Sequence, residues 1–175
     1  MHYGEIKKND IANGIGVRVS LFVSGCRNAC ENCFNKQTWD FKFGKEFNKE
    51  TTEQIIEMLK PEYVHGITVL GGEPFEPENQ KDLLPFLKKV REVYPDKTVW
   101  CFSGFTLEEL IGDSRANCEY TKPLLDLVDV LVDGRYIDSM RNISLKFRGS
   151  ENQRIIDMNK TRAMGKVVLW NEENI

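Results

Sequence analysis

The 175-residue sequence has no excess of basic residues: 24 Lys and Arg face 27 Asp and Glu, for a net charge of −3. That balance argues against a nucleic-acid partner, whose phosphate backbone is met by clustered positive charge. No run comes near the roughly 18 apolar residues that a membrane-spanning helix needs. The opening MHYGEIKKND is polar and lacks the apolar core of a signal peptide. The expectation is a cytoplasmic chain with no membrane partner. Histidine is scarce, with two residues, and the five cysteines (Cys26, Cys30, Cys33, Cys101 and Cys118) are odd in number. An odd count without an export signal argues against a disulfide framework and for reduced thiols or metal ligands. Internal repeats, low-complexity tracts and linkers are missing too. At this length the expectation is a single domain over 1–175.

What is present is an alternation of strands and helices. Runs rich in Val, Ile, Leu and Phe occur at 17–23, 66–71, 97–103, 128–133, 153–158 and 166–170. Most lack a clean polar alternation, which fits a sheet covered on both faces. Helical periodicity falls between them at 51–60, with Thr51 or Thr52 as N-cap, and at 79–94 despite Pro85. It recurs at 106–113, which opens on a Thr-x-x-Glu capping box, and at 122–128. Such βα units predict an α/β protein with a mainly parallel sheet. A closed eight-unit barrel takes about 250 residues. The shorter chain predicts an incomplete (β/α)6-type barrel or a curved open sheet. Residues 134–152 show little periodicity and read as a long functional loop.

Four of the strands run into glycine-bearing segments: SGCRNACENC after the first, GGEP after the second, SGF after the third and DGRY after the fourth. Ligands of parallel α/β sheets bind at the carboxyl ends of strands. The four segments are therefore expected to face one cleft.

The first segment carries Cys26, Cys30 and Cys33, three thiols in a polar, Asn-rich stretch. Three ordinary core cysteines are a poor account of such a stretch. Structural zinc needs four ligands, normally as two short pairs, and Cys101, Cys118, His2 and His65 offer no paired spacing. A four-iron cluster fits better, since each iron takes one external ligand, usually a thiolate. Three cysteines then leave one iron open to a chelating small molecule, whereas a purely electron-carrying protein supplies a fourth.

Together with Gly71-Gly72-Glu73-Pro74, this Cys-x3-Cys-x2-Cys pattern resembles the radical S-adenosylmethionine enzymes. The runs NGIGVRVSLFVSGC, CFNKQTW, LGGEPF, DGRY and FRGSENQRIID resemble more closely the activating proteins of anaerobic ribonucleotide reductases. The resemblance spans nearly the whole chain and implies the radical S-adenosylmethionine fold.

It also implies the chemistry. Cys26, Cys30 and Cys33 hold a [4Fe-4S] cluster whose open iron is chelated by S-adenosylmethionine. Reductive cleavage then gives a 5′-deoxyadenosyl radical that takes a hydrogen atom from a glycine of the reductase large subunit. A low-potential donor such as flavodoxin or ferredoxin supplies the electron. Gly71, Gly72 and the Glu73 carboxylate are expected at the methionine ammonium, Asn32, Cys33 and Phe34 near the adenine, and Asp133 at the ribose or carboxylate. The sequence departs from many such enzymes at Asn32, where they carry an aromatic residue. Arg148, Gln153 and Arg154, rich in donors, are candidates for gripping the partner. Trp39 and Phe41 read as an apolar docking rim or as core. The alternatives that stay open are activation of another glycyl-radical enzyme and a non-catalytic iron–sulfur or zinc module.

Overall fold

A computed structural model of the chain describes residues 1–171; residues 172–175 of the expected 1–175 domain lie outside the described residues. Seven strands form one open sheet in the order β3-β1-β2-β4-β5-β6-β7. Its centre is parallel: β2 (Val17–Val23), β4 (Val64–Gly71), β5 (Thr98–Phe102) and β6 (Val130–Asp133). Antiparallel strands flank it, with β1 (His2–Asp10) and β3 (Lys45–Glu46) on one side and β7 (Arg154–Asp157) on the other. The sheet is thus mixed, with the parallel part in the middle, and it does not close.

The central strands are buried on both sides because alternate residues enter different cores. Val99, Cys101, Leu131 and Ile156 join the large core, which also holds the helical residues Ile55, Leu59, Leu83, Leu87 and Val90. Trp100, Val130, Val132 and Ile155 point the other way, into a smaller cluster closed by Ile15, Phe102, Phe147 and Trp170. On that second side β2 and β4 present buried polar groups. Arg18 directs all five of its N–H donors to carbonyls of Ile15, Ile67 and Thr98 and to the hydroxyls of Thr68 and Thr98. Burial pushes its pKa down to about 9.

The helices start where local chemistry lets them. Helix α1 (Lys49–Leu59) is capped by Asn48 in a capping box with Thr51, so the cap lies three or four residues before the expected Thr51 or Thr52. Helix α2 (Pro77–Val93) has proline in its first turn, where no N–H is required, and contains Pro85. Thr106 and Glu109 form the expected capping box of α3 (Leu107–Ile111). The expected helix at 122–128 is the short α4 (Thr121–Leu125). An unexpected α5 (Met158–Met164) is capped by Asp157 and ended by the left-handed Gly165.

The expected strand at 166–170 is corrected to a single isolated bridge between Ile156 and Leu169. Val168 turns its N–H to the Thr161 hydroxyl at 3.0 Å instead of to a neighbouring strand. The two antiparallel additions β1 and β3 were not expected. Among residues 134–152 a short 3-10 turn, Asp138–Met140, and an isolated antiparallel bridge between Arg141 and Ser150 interrupt the irregular path.

Candidate functional site

The four glycine-bearing strand ends converge. A cavity of about 450 Å3 is lined by Cys26, Cys30 and Cys33 after β2, Gly71 and Gly72 after β4, Ser103 and Gly104 after β5, and Gly134 and Tyr136 after β6. All three thiols are free and half-buried. Among the described residues no three His, Cys, Asp or Glu side chains gather tightly enough for one metal ion. A cluster is held through separate irons, one thiolate each, so its ligands do not converge on a single ion. Burial pushes the Cys26 thiol up to about 12 and raises Cys30 as well. The backbone N–H groups of Asn28 and Tyr136 offset part of that rise at Cys26 and Cys30 respectively.

The segment 24–28 is fastened from below. The Gly72 N–H donates to the Val23 carbonyl at 2.7 Å, and the Glu73 N–H to the Gly25 carbonyl at 2.9 Å. The buried Asn79 amide donates to the carbonyls of Ser24 at 3.0 Å and Glu73 at 2.9 Å. Glu76, whose side chain is fully buried, accepts from the Arg27 N–H at 2.8 Å, the Arg27 guanidinium at 2.7 Å and Arg115 at 3.1 Å. The two arginines in turn lie over aromatic rings, Arg27 on Phe41 at 4.3 Å and Arg115 on Phe105 at 4.5 Å. Phe41 is thereby a packing partner of Arg27, while Trp39 lines the cavity.

The packing of the cysteine loop by itself requires glycine at 71 and 72. A Cβ on Gly72 would lie 2.7 Å from the Gly25 carbonyl oxygen and 3.0 Å from that of Thr38. On Gly71, at φ +112°, it would meet the Val23 carbonyl oxygen at 2.7 Å. The missing side chains let the cysteine-bearing backbone settle onto the end of β4.

Glu73 lies beneath the cavity and is not among its lining residues. Its carboxylate accepts from the N–H groups of Phe75 and Gly104, the Ser103 hydroxyl and the Asn28 amide at 2.7–2.9 Å. Burial raises its pKa in spite of those four donors. Asp133 is fully buried as well and takes the Leu107 N–H at the start of α3 together with Arg154. Arg154 bridges Asp133 and Glu108, at 2.5 and 2.6 Å, and lies off the cavity. The structure therefore joins Asp133 and Arg154 to each other rather than to the cleft.

Arg148 and Gln153 do line the cavity. The Gln153 amide clasps the base of the 134–152 loop, accepting from the N–H groups of Gly149 and Ser150 and donating to the Gly134 carbonyl. Phe34 lies at the rim, 70% exposed, against Tyr136 at 5.7 Å. Asn32, in the left-handed region at φ +53°, turns away and donates to Asp138 at 2.9 Å. Cys101 is buried, its thiol pushed well up by burial, and Cys118 contacts the Thr121 hydroxyl.

Residues missed in the sequence are Asn28, Glu76, Asn79 and Arg115. Little of that signal was legible, because Glu73 and Glu76 precede α2 (Pro77–Val93) and no helical spacing relates them to Asn79.

Comparison with known proteins shows the family. Residues 12–156 match the family described as 4Fe-4S single cluster domain. The anaerobic ribonucleoside-triphosphate reductase-activating protein of Pasteurella multocida is 41% identical over 155 residues, covering 87% of this chain and 95% of its own length. The proteins of the same name from Haemophilus influenzae and Escherichia coli K12 are 40% and 38% identical, each over 87% of this chain and 96% of their own length. Among the described residues no helix is long and apolar enough to cross a membrane. The match to a 4Fe-4S domain family and relatives matched over most of their length lead to one conclusion: the chain belongs to the family of anaerobic ribonucleoside-triphosphate reductase-activating proteins.

Proposed function

We propose that the chain is a radical S-adenosylmethionine enzyme that activates the large subunit of an anaerobic ribonucleoside-triphosphate reductase by generating a glycyl radical on it. The observation that carries this reading is the sharing of one cavity by three free thiols and the ends of three further strands. The donor set fits a [4Fe-4S] cluster, with Cys26, Cys30 and Cys33 as ligands and one iron left for S-adenosylmethionine. Bound there, cluster and S-adenosylmethionine supply a reductive cleavage that yields a 5′-deoxyadenosyl radical able to take a hydrogen atom from glycine. An open sheet with its cavity at the parallel strand ends supports the radical S-adenosylmethionine fold.

The protein's own residues bind, orient and exclude water. Gly71 and Gly72 give the cavity a backbone surface. Phe34 offers an aromatic face for the adenine where Asn32 does not. Glu73 acts on the cofactor only at one remove, through Asn28, Ser103 and Gly104, while Asp133, bonded to Arg154 and the start of α3, stays off the cleft. Arg148 and Gln153, at the cavity wall, are the docking candidates that remain in reach of a partner segment, and a flavodoxin- or ferredoxin-like donor supplies the electron.

The test is anaerobic incubation of iron-loaded protein with the reductase, S-adenosylmethionine and a strong reductant, followed by electron paramagnetic resonance. A glycyl radical on the reductase that requires all three components is expected. Its absence with a fully loaded cluster overturns the reading.

A further inference from the structure

The third cysteine is preceded by Asn32, whose side chain leaves the cavity to bind a different segment. That segment, 134–152, is largely bonded to itself. The Asn142 amide meets Glu151 at 3.0 Å, the Glu151 N–H meets the Met140 carbonyl at 3.0 Å, and Gln153 clasps its base. It touches the cysteine loop at few points. The Asn32 amide donates to Asp138 Oδ2 at 2.9 Å, and the Tyr136 hydroxyl donates to Asp138 Oδ1 at 2.7 Å. The Tyr136 ring lies 5.7 Å from that of Phe34. Tyr136 also turns its backbone N–H toward Cys30, where it favours the thiolate. Asp138 thus receives the cysteine loop on one oxygen and, on the other, the residue whose N–H turns toward a thiol.

We propose that Asn32 and Asp138 are positioning residues that latch the 134–152 segment onto the cysteine loop and so keep the Tyr136 N–H turned toward the Cys30 sulfur. The proposal rests on the cluster reading above. Hydrogen bonds to cysteine sulfurs are among the levers that set an iron–sulfur potential. A donor at sulfur withdraws negative charge and favours the reduced state, so loosening the latch lowers the potential. Asn in place of an aromatic residue before Cys33 then has a purpose: the position faces the second loop.

Asn32→Ala, Asp138→Ala and the double variant test this beside the wild-type protein. In metal-free protein, limited proteolysis within 134–152 is expected to speed up severalfold in each single variant; unchanged rates overturn the latch. After anaerobic reconstitution, iron and sulfide should equal the wild-type values because neither residue supplies a ligand. A variant that cannot load iron overturns the positioning role in favour of one in assembly.

Redox titration of the loaded proteins is expected to show a lower potential in both single variants, by up to about tenfold in the reduction equilibrium, or about 59 mV for a one-electron couple. The double variant should fall no further than Asp138→Ala alone, since both residues act through one contact. Additive shifts or an unmoved potential overturn the proposal. Wild-type protein that loads zinc in place of iron and sulfide defeats the cluster reading instead, and the metal-free proteolysis still decides the latch.

Discussion

The two ends of the cysteine loop are held in opposite ways. Around Cys26 the backbone rests on buried groups, with Glu73, Glu76 and Asn79 all at 0–1% exposure. Around Cys30 and Cys33 the holders are exposed or half-exposed: Asn32, Phe34, Tyr136 and Asp138. The first end is part of the folded core and the second is a contact between two loops. Buried hydrogen-bonded networks are costly to break, while exposed ones contribute little to stability. The first end is therefore built to give the site its shape and the second to respond to what occupies it.

The largest effect expected erases both ends at once. Replacing Cys26, Cys30 or Cys33 by alanine should reduce bound iron from about four per chain to nearly none. Cys101→Ala and Cys118→Ala should leave it intact, as read by iron and sulfide analysis after anaerobic reconstitution. A requirement for Cys101 or Cys118 would refute the three-ligand assignment.

Breaking only the core-held end comes next. Glu73→Ala strips four donors of their acceptor and should cost about 3 kcal/mol in denaturant unfolding of the metal-free protein. Asn32→Ala, at the other end, should stay within about 0.5 kcal/mol. Equal costs would remove the distinction between the two ends.

Gly72→Val sharpens the same contrast by geometry. Its Cβ would overlap backbone oxygens of Gly25 and Thr38, which have no rotamer to escape into. A loss of about 1–3 kcal/mol is expected, together with impaired cluster assembly. A variant that loads iron normally and merely binds S-adenosylmethionine less well would show that the cavity, not the loop seat, requires the glycine.

The smallest effect concerns acid. The Tyr136 hydroxyl and then the Asn32 amide lower the pKa of Asp138 from its ordinary 3.8. A depressed carboxylate contributes stability that is fully present above the ordinary value and lost as pH falls through the depressed one. In metal-free protein, hydrogen exchange across 134–152 should therefore accelerate about twofold below that value, relative to the intrinsic rate, while residues 72–80 do not change. Protection that is the same above pH 3.8 and below the depressed value would show that Asp138 does not hold the loop.

The parallel centre of the fold was legible because strands covered on both faces read as continuous apolar runs. β1 was not, because HYGEIKKND buries only Tyr3 and Asp10 and reads as polar surface. The run at 166–170 misled for the converse reason: it is as apolar as a strand, yet Leu169 is 58% exposed and α5 has just ended. In the site, three thiols at short spacing announced themselves. The side on which Glu73 would lie did not, since its donors Ser103 and Gly104 come from a different strand end. Arg154 looked like a free grip for the same reason, its partners Glu108 and Asp133 being distant in sequence.

Arg18 carries one more consequence. Its donors reach the Ile15 carbonyl as well as the sheet, and the Thr68 hydroxyl it binds holds the Asn13 carbonyl at 2.7 Å. Ala12 and Asn13 line the cavity. That wall is consequently soldered to the innermost strands and belongs to their cooperative unit, so residues 13–16 can open only when β2 and β4 separate. The opposite wall, 134–152, is bonded mainly within itself and meets the sheet through the Phe147 ring, which lies against Trp100 at 5.4 Å. Whatever enters this cavity does so between a jaw hydrogen-bonded into the innermost strands and one that rests on them by side-chain packing.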